Sequence, residues 1–291
     1  MLAGAAAFLA RPAAAKEKLK LSIFSKHLQF VQGAELAKAA ADLGFDGVDI
    51  TVRKGGHIEP QRVKQELPPL VATLRKQGLE VPMVTTDILD AETPFAEDVV
   101  RTAAELGIRH YRSGGWKYAP DQPITAQIDA FRSRLEGLAK LNAKYQSCAM
   151  YHTHSGAGLV GAPIWDLHIM MKDIDPKLVG INYDVAHATI EGGLGGWIAS
   201  YRVSGAHVRG IALKDFVWAK DARGRWREQW CPIGEGMVHF TEFLGMVAQS
   251  GFNGPLQVHY EYPMPKERAG EYSAMKRDLT TLRGYLEKAG L

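Results

Sequence analysis

Four short apolar runs of this chain end in side chains that can hold a charge or move a proton: SCAMYHTHSG (147–156), VGINYDVAH (179–187), VRGIALKDF (208–216) and PLQVHYEYP (255–263). A buried strand that ends in His, Asp, Lys or Glu builds a core badly, because each such group costs free energy unless it is paired. Four of them at strand–helix intervals build one polar pocket well. Asp184 and His187 bring an anionic oxygen and an imidazole to the end of one run. Glu261 closes another, with His259 two residues before it and therefore on the same side. A divalent ion is an economical partner for two or three such groups; an ion pair with Lys214 is the competing arrangement for the carboxylates. His152 and His154 share a side by the same period, and paired imidazoles suit a borderline divalent ion or acid–base work. Lys214, next to Asp215, can act as a base or as an electrostatic clamp on a developing enolate. The candidate metal ligands are thus His152, Asp184 and Glu261, and the candidate acid–base groups His154, His187 and Lys214.

The remaining apolar runs end in SKH (25–27), DITVRKGGH (49–57), TTD (85–87) and YRSGG (111–115). His27, Arg53, His57 and Arg112 from these ends are candidates to line the same mouth, a polar surface suited to a hydroxyl-rich ligand. Six tryptophans lie near the run ends or in a Trp- and Arg-rich stretch over 216–237, and flat rings stack on sugars; Trp165 and Trp218 are the candidates. The tight turn GEG (234–236) offers Glu235 as a lesser one.

These residues need elements that converge. After residue 18, β-branched or apolar runs alternate with amphipathic stretches: LKLSIF (19–24), a helix over 34–44 closed by Gly44, FDGVDITV (45–52), a helix over 60–78 that Pro68 and Pro69 should bend or split, LEVPMVTT (79–86), a helix over 94–107, IRHYRSG (108–114) and a long helix over 123–142. The second half reads as the strand SCAMYHT, a short helix over 165–174, VGINYDVAH, a helix over 195–203, HVRGIALKD, a long loop over 216–237, a helix over 240–251, GPLQVHYEY and a final helix over 272–290. Strands alternating with helices predict a parallel sheet. Eight such units in about 270 residues predict a single-domain α/β fold, the (β/α)8 TIM barrel, whose strand C-termini all open on one face. No G-x-G-x-x-G follows the first strand and no G-x-x-x-x-G-K-[ST] occurs, so the usual nucleotide-binding signatures are missing.

Bulk composition narrows the partners. The chain has 46% hydrophobic and 23% charged residues and a net charge of +3, which excludes a strong electrostatic case for nucleic acid. The basic cluster Arg223, Arg225 and Arg227 is broken by Gly and Trp and reads as a solvated loop. Cys148 and Cys231 form no CxxC pair, and Cys148 sits in an apolar run. No segment after the N-terminus is apolar enough for a membrane span. The N-terminal MLAGAAAFLARPAAAKEK resembles the later part of an export signal with an A-x-A cleavage site, although a basic start is absent. Residues 1–18 are therefore expected to be a signal remnant or a tail, residues 19–291 the barrel, and the location periplasmic or exported, with cytoplasmic as the alternative. Homo-oligomerisation stays open.

The chain resembles a known family, the xylose-isomerase-like TIM barrels of the sugar phosphate isomerase/epimerase group. The motifs that carry the resemblance are GFDGVDITVRKGGH (44–57), HTHSG with WDL (152–156, 165–167), NYDVAHATIEGG (182–193), LKDF (213–216), PIGEGMV (232–238) and HYEYP (259–263). It spans nearly all of the chain after residue 18. The resemblance implies one divalent ion (Mn, Mg, Zn or Co) held by a strand-five Glu, a strand-six Asp, a strand-seven His and a strand-eight Glu. Asp184 and Glu261 match two of these positions. His152 stands at the strand-five Glu position, and Ala212 at the strand-seven His position, so one carboxylate is replaced and one imidazole lost; His207 or His154 would have to compensate. The expected activity is that of a metal-dependent isomerase or epimerase that removes a proton next to a carbonyl of a small carbohydrate. The alternatives are a lyase that eliminates the aglycone of a keto-glycoside and a non-catalytic carbohydrate-binding barrel.

Overall fold

A computed structural model describes residues 18–291. The expected signal remnant thus lies, but for Lys18, outside the described residues. Eight parallel strands close into a barrel: β1 (Leu21–Phe24), β2 (Gly47–Val52), β3 (Met83–Thr86), β4 (His110–Ser113), β5 (Cys148–His152), β6 (Val179–Asp184), β7 (Val208–Leu213) and, after an inserted hairpin, β10 (Leu256–Val258). Neighbours in sequence pair in order, and β10 shuts the ring on β1 through the register Leu21↔Leu256 and Ile23↔Val258. Around it run α1 (Gly33–Leu43), α2 (Val63–Lys76), α3 (Ala96–Glu105), α4 (Ile124–Tyr145), α5 (Trp165–Met171), α6 (Val185–Gly192), α7 (Gly196–Ser204), α8 (Phe240–Ser250) and α9 (Arg268–Ala289). This is the single-domain (β/α)8 barrel that the alternation predicts.

Three local expectations change. The stretch over 216–237 is not a loop but an antiparallel hairpin, β8 (Asp215–Lys220) with β9 (Trp226–Cys231), registered from Asp215↔Cys231 to Lys220↔Trp226. Its tip is closed by Asp221, whose carboxylate accepts from the backbone N–H of Arg223 and Arg225 and from the Arg225 guanidinium. The base is held by Asp215, which takes the N–H groups of Gly234, Gly236 and Val238. A Cβ on Gly236 would stand 2.2 Å from Asp215 Oδ1, so glycine is required there. Second, α2 runs unbroken through Pro68 and Pro69. Its stripe Val63, Leu67, Val71 and Leu74 is buried, and burying each such side chain contributes roughly 1.5–3 kcal/mol, enough to offset the two missing backbone hydrogen bonds. Third, β6 stops at Asp184, and a helix begins at Val185 where the strand was expected to continue.

Alternation along the strands sorts the core. Tyr183 of β6 faces outward and stacks on Phe243 of α8, while Asn182 and Asp184 face the barrel axis. Inside, Asn182 and Gln257 join their side-chain amides, with Gln257 Nε2 3.1 Å from Asn182 Oδ1. That amide layer lies directly beneath the C-terminal mouth.

Candidate active site

At the C-terminal ends of β5, β6 and β10 one ligand atom each of His152, Asp184 and His259 lies within 4.8 Å of the other two, and all three residues are buried. His152 ends β5 and Asp184 ends β6, adjacent strands with the register His152↔Asn182; His259 follows β10 on the far side of β7. His152 Nε2, Asp184 Oδ2 and His259 Nδ1 are all buried without a hydrogen-bond partner. Burying one such atom costs roughly 1–3 kcal/mol; the Lys214 ammonium, 3.3 Å away, offsets that of Asp184 Oδ2, and the two imidazole nitrogens are left uncompensated.

The opposite atoms of the same side chains are held. Asp184 Oδ1 accepts from Ala186 N (3.0 Å) and His187 N (3.1 Å), capping α6. One residue thus serves as cap with one oxygen and faces the mouth with the other. His152 Nδ1 stands 3.0 Å from the Asn182 side-chain amide, and His259 Nε2 3.5 Å from Gln257 Oε1. Phe24 stacks on the His259 ring at 4.8 Å. Burial, joined by the Arg112 and Lys214 charges, holds both imidazoles well below the ordinary histidine value and so neutral. His259, with Nε2–H facing Gln257 Oε1, keeps the Nδ1 lone pair for a divalent ion such as Zn, Mn or Fe(II); His152 offers the same at Nε2 when Asn182 turns its amide oxygen toward Nδ1.

Lys214 fills the next layer. Its buried ammonium lies 2.8 Å from Glu261 Oε2, 3.3 Å from Asp184 Oδ2 and 2.7 Å from His187 Nε2. The cation that joins Asp184 to Glu261 is therefore this ammonium, and the structure groups His259, rather than Glu261, with His152 and Asp184. Burial acts to raise the Glu261 carboxyl, but the Lys214 charge and hydrogen bond outweigh it and bring it down to about 2. Burial raises Asp184, opposed by Lys214. His187 sits on the first turn of α6 rather than on a strand, with Nδ1 2.8 Å from Ser155 Oγ, and burial plus Lys214 push it to about 2. The indole of Trp230, on β9, lies over the ammonium at 4.2 Å and edge-on to His187. Sequence reasoning misses Trp230; the outward alternation of WREQWC in a hairpin is the signal that could have found it.

His154 stands beyond β5, its ring 4.4 Å from that of His152 and 5.0 Å from that of His187. It makes no hydrogen bond to a described residue, is only half-buried, and is held at about 3 by burial and by Arg112. Arg53 and Arg112 reach toward Phe24, their guanidinium carbons 5.5 and 5.6 Å from its ring centre. His27 accepts from Tyr260 N and is kept neutral, at about 3, by burial. His57 is buried with Nδ1 3.1 Å from Thr51 Oγ1 and Nε2 3.2 Å from the Val31 carbonyl, so both ring nitrogens tie down the loop after β2. Trp165 and Trp218 stand exposed on α5 and β8. His207 precedes β7, at the opposite end of the barrel, and bonds the Ile174 carbonyl; it cannot replace the imidazole missing at Ala212.

A family model described as "Xylose isomerase-like TIM barrel" matches residues 37–280. The chain belongs to this family. No curated protein matches it. Among solved structures, a xylose isomerase domain protein from Alicyclobacillus acidocaldarius subsp. acidocaldarius superposes with a TM-score of 0.71 at 17% identity, covering 93% of this chain and 99% of that one. D-psicose 3-epimerase from Clostridium cellulolyticum H10, solved with D-tagatose, gives 0.69 at 14% identity, covering 92% and 99%. A xylose isomerase-like TIM barrel protein from Mycobacterium smegmatis in complex with magnesium gives 0.69 at 15% identity, covering 94% and 98%. At these identities the likeness is one of fold. Among the described residues no helix is long and apolar enough to cross a membrane.

Proposed function

We propose that this barrel is a metal-dependent enzyme that isomerises or epimerises a sugar or sugar derivative by removing a proton next to a carbonyl. The observation that carries this reading is the convergence at the catalytic face of the barrel of His152, Asp184 and His259, with His152 Nε2 and His259 Nδ1 buried and unpartnered and Asp184 Oδ2 engaged by the Lys214 ion pair. We assign the metal to these three, with His259 in the place expected for Glu261. A divalent ion held there would supply Lewis-acid polarisation of a carbonyl or a vicinal hydroxyl pair. The chain's own groups do the rest. His154 has no hydrogen-bond partner among the described residues and its ring stands 4.4 Å from that of His152, so its position is the reason for assigning it as the base that takes the proton. Lys214 places a fixed positive charge in a buried setting, where it stabilises negative charge developing on the substrate oxygen. His187 and Glu261 fix that ammonium from two sides, and Trp230 covers it.

Elimination begins with the same proton removal, and a probable 3-DHS dehydratase from Bacillus anthracis shares the fold at a TM-score of 0.66, so a lyase is the second reading. The test is proton exchange followed by NMR in deuterated water, with D-psicose, D-fructose, L-ribulose and 3-keto-glucosides as probes and Mn or Zn added. Exchange at the carbon next to the carbonyl, lost in Asp184→Ala and at least about 100-fold slower in His154→Gln, supports the proposal. A His154→Gln variant that exchanges at the wild-type rate removes His154 as the base. Wild-type rates in Asp184→Ala sink the site altogether.

A further inference from the structure

We propose that the sugar accepted by this mouth carries an oxyanion, a carboxylate or a phosphate, seated on Arg112 with Arg53 beside it. This rests on the reading of the site as a sugar enzyme. Among the described residues, neither guanidinium has a carboxylate within 4.0 Å, and neither donates a hydrogen bond. Both are half-buried, Arg53 in the loop after β2 and Arg112 on β4. Arg112 projects from β4 into the barrel, paired with Met150 on β5, so its side chain rises beside His152 and His154. A guanidinium has five N–H donors in a planar fork; those of Arg112, which is half-buried, open into the mouth and meet no acceptor among the described residues.

The surroundings keep Arg112 charged. Burial lowers it to about 10, Asp49, Asp184 and Glu261 act from a distance to raise it, and Arg53 acts to lower it, so it stays a cation at neutral pH. Of those carboxylates, Asp184 and Glu261 are already taken by Lys214, and Asp49 is pushed up to about 7 by burial. The mouth is thus divided. The β5, β6, β7 and β10 side holds the histidines, Asp184 and Lys214. The β1, β2 and β4 side presents two guanidiniums around Phe24, the ring that also stacks on His259. A small ligand with an anionic end and a polyhydroxylated body spans the two halves, and the bidentate fork of Arg112 is the natural seat for its oxyanion.

The test is isothermal titration of the full chain, with and without Mn, against D-glucuronate and D-galacturonate, D-glucose 6-phosphate, and the neutral parents D-glucose and D-galactose. At least one anionic sugar should bind roughly 30-fold or more tightly than its parent, as expected when a bidentate charge pair forms. Which arm responds identifies the oxyanion as carboxylate or phosphate. Arg112→Gln should reduce the anionic sugar to the level of its parent, Arg112→Lys should restore part of the preference, and Arg53→Gln should weaken it less. Circular dichroism checks each variant; if Arg112→Gln does not fold, the wild-type preference and Arg53→Gln decide. Equal binding of neutral and anionic sugars, no measurable binding of any anionic sugar, or a preference that survives Arg112→Gln overturns the proposal. Metal titration of the same samples separates it from the functional reading: absence of metal binding refutes that reading, while the anion preference is still read in metal-free protein.

Discussion

Replacing Lys214 by Met removes the one ammonium that lies between two carboxylates and an imidazole. Asp184 is completely buried and Lys214 is 2% exposed, so the pair interacts largely out of solvent. At 3.3 Å and an effective dielectric near 20, one such interaction amounts to about 5 kcal/mol before desolvation is counted. Asp184 keeps its two capping N–H groups in the variant, which moderates the damage. The expected loss of unfolding free energy is about 3–5 kcal/mol, the usual consequence of leaving a buried charge uncompensated. The pH dependence has a definite sign. Burial raises the Asp184 carboxyl, and without Lys214 it rises further, so the variant is penalised above the unfolded value near 3.9 and progressively more as pH climbs through the raised folded value. Glu261 works in the same direction: in the wild type it is brought down to about 2, so its contribution is present above about 4.3 and lost as pH falls toward 2. The deficit of Lys214→Met should therefore be largest at pH 7–8 and shrink toward pH 4. Urea denaturation with EDTA present, followed by circular dichroism at several pH values, measures it. A deficit below about 0.5 kcal/mol at pH 7.5, or one that grows on acidification, refutes Lys214 as the neutralising cation.

Metal-free protein titrated with Zn or Mn should bind one ion and melt at a higher temperature; His259→Ala and Asp184→Asn should abolish the shift, whereas Glu261→Gln should retain most of it. The reverse order, with Glu261→Gln losing the ion and His259→Ala keeping it, would return the metal to the family's usual strand-eight acid. Asn182→Ala removes the amide behind His152 and should weaken metal affinity by about 10–100-fold without changing the stoichiometry. Unchanged affinity in competition with a fluorescent chelator would show that the amide layer does not orient the imidazole.

Much of this molecule was readable along the chain. The alternation of apolar runs and amphipathic stretches follows from the two periods of side-chain direction, so the eight barrel strands and their order needed no tertiary information. The same period placed His152 and Asp184 at neighbouring strand ends, and Gly44 closed its helix with the positive φ that glycine allows. Other features had no local signature. The hairpin over Asp215–Cys231 is specified by pairing between two segments and by the grip of Asp215 on three backbone N–H groups, neither of which shows in a run rich in Trp and Arg. His57 looks like a site residue in sequence because nothing there reveals that Thr51 and Val31 engage both its nitrogens.

The choice between His259 and Glu261 marks the boundary most clearly. Both close the same apolar run, two residues apart, so composition and period treat them alike. Ring closure of β10 on β1 and β7 sets the depth: His259 lies level with His152 and Asp184, while Glu261, two residues farther along and partly in solvent, meets the longer side chain of Lys214. Sequence by itself determined which residue types reach the mouth of the barrel. The tertiary structure alone decided which of them neutralise one another and which are left with unpaired buried atoms, because that depends on height along the barrel axis across strands far apart in the chain.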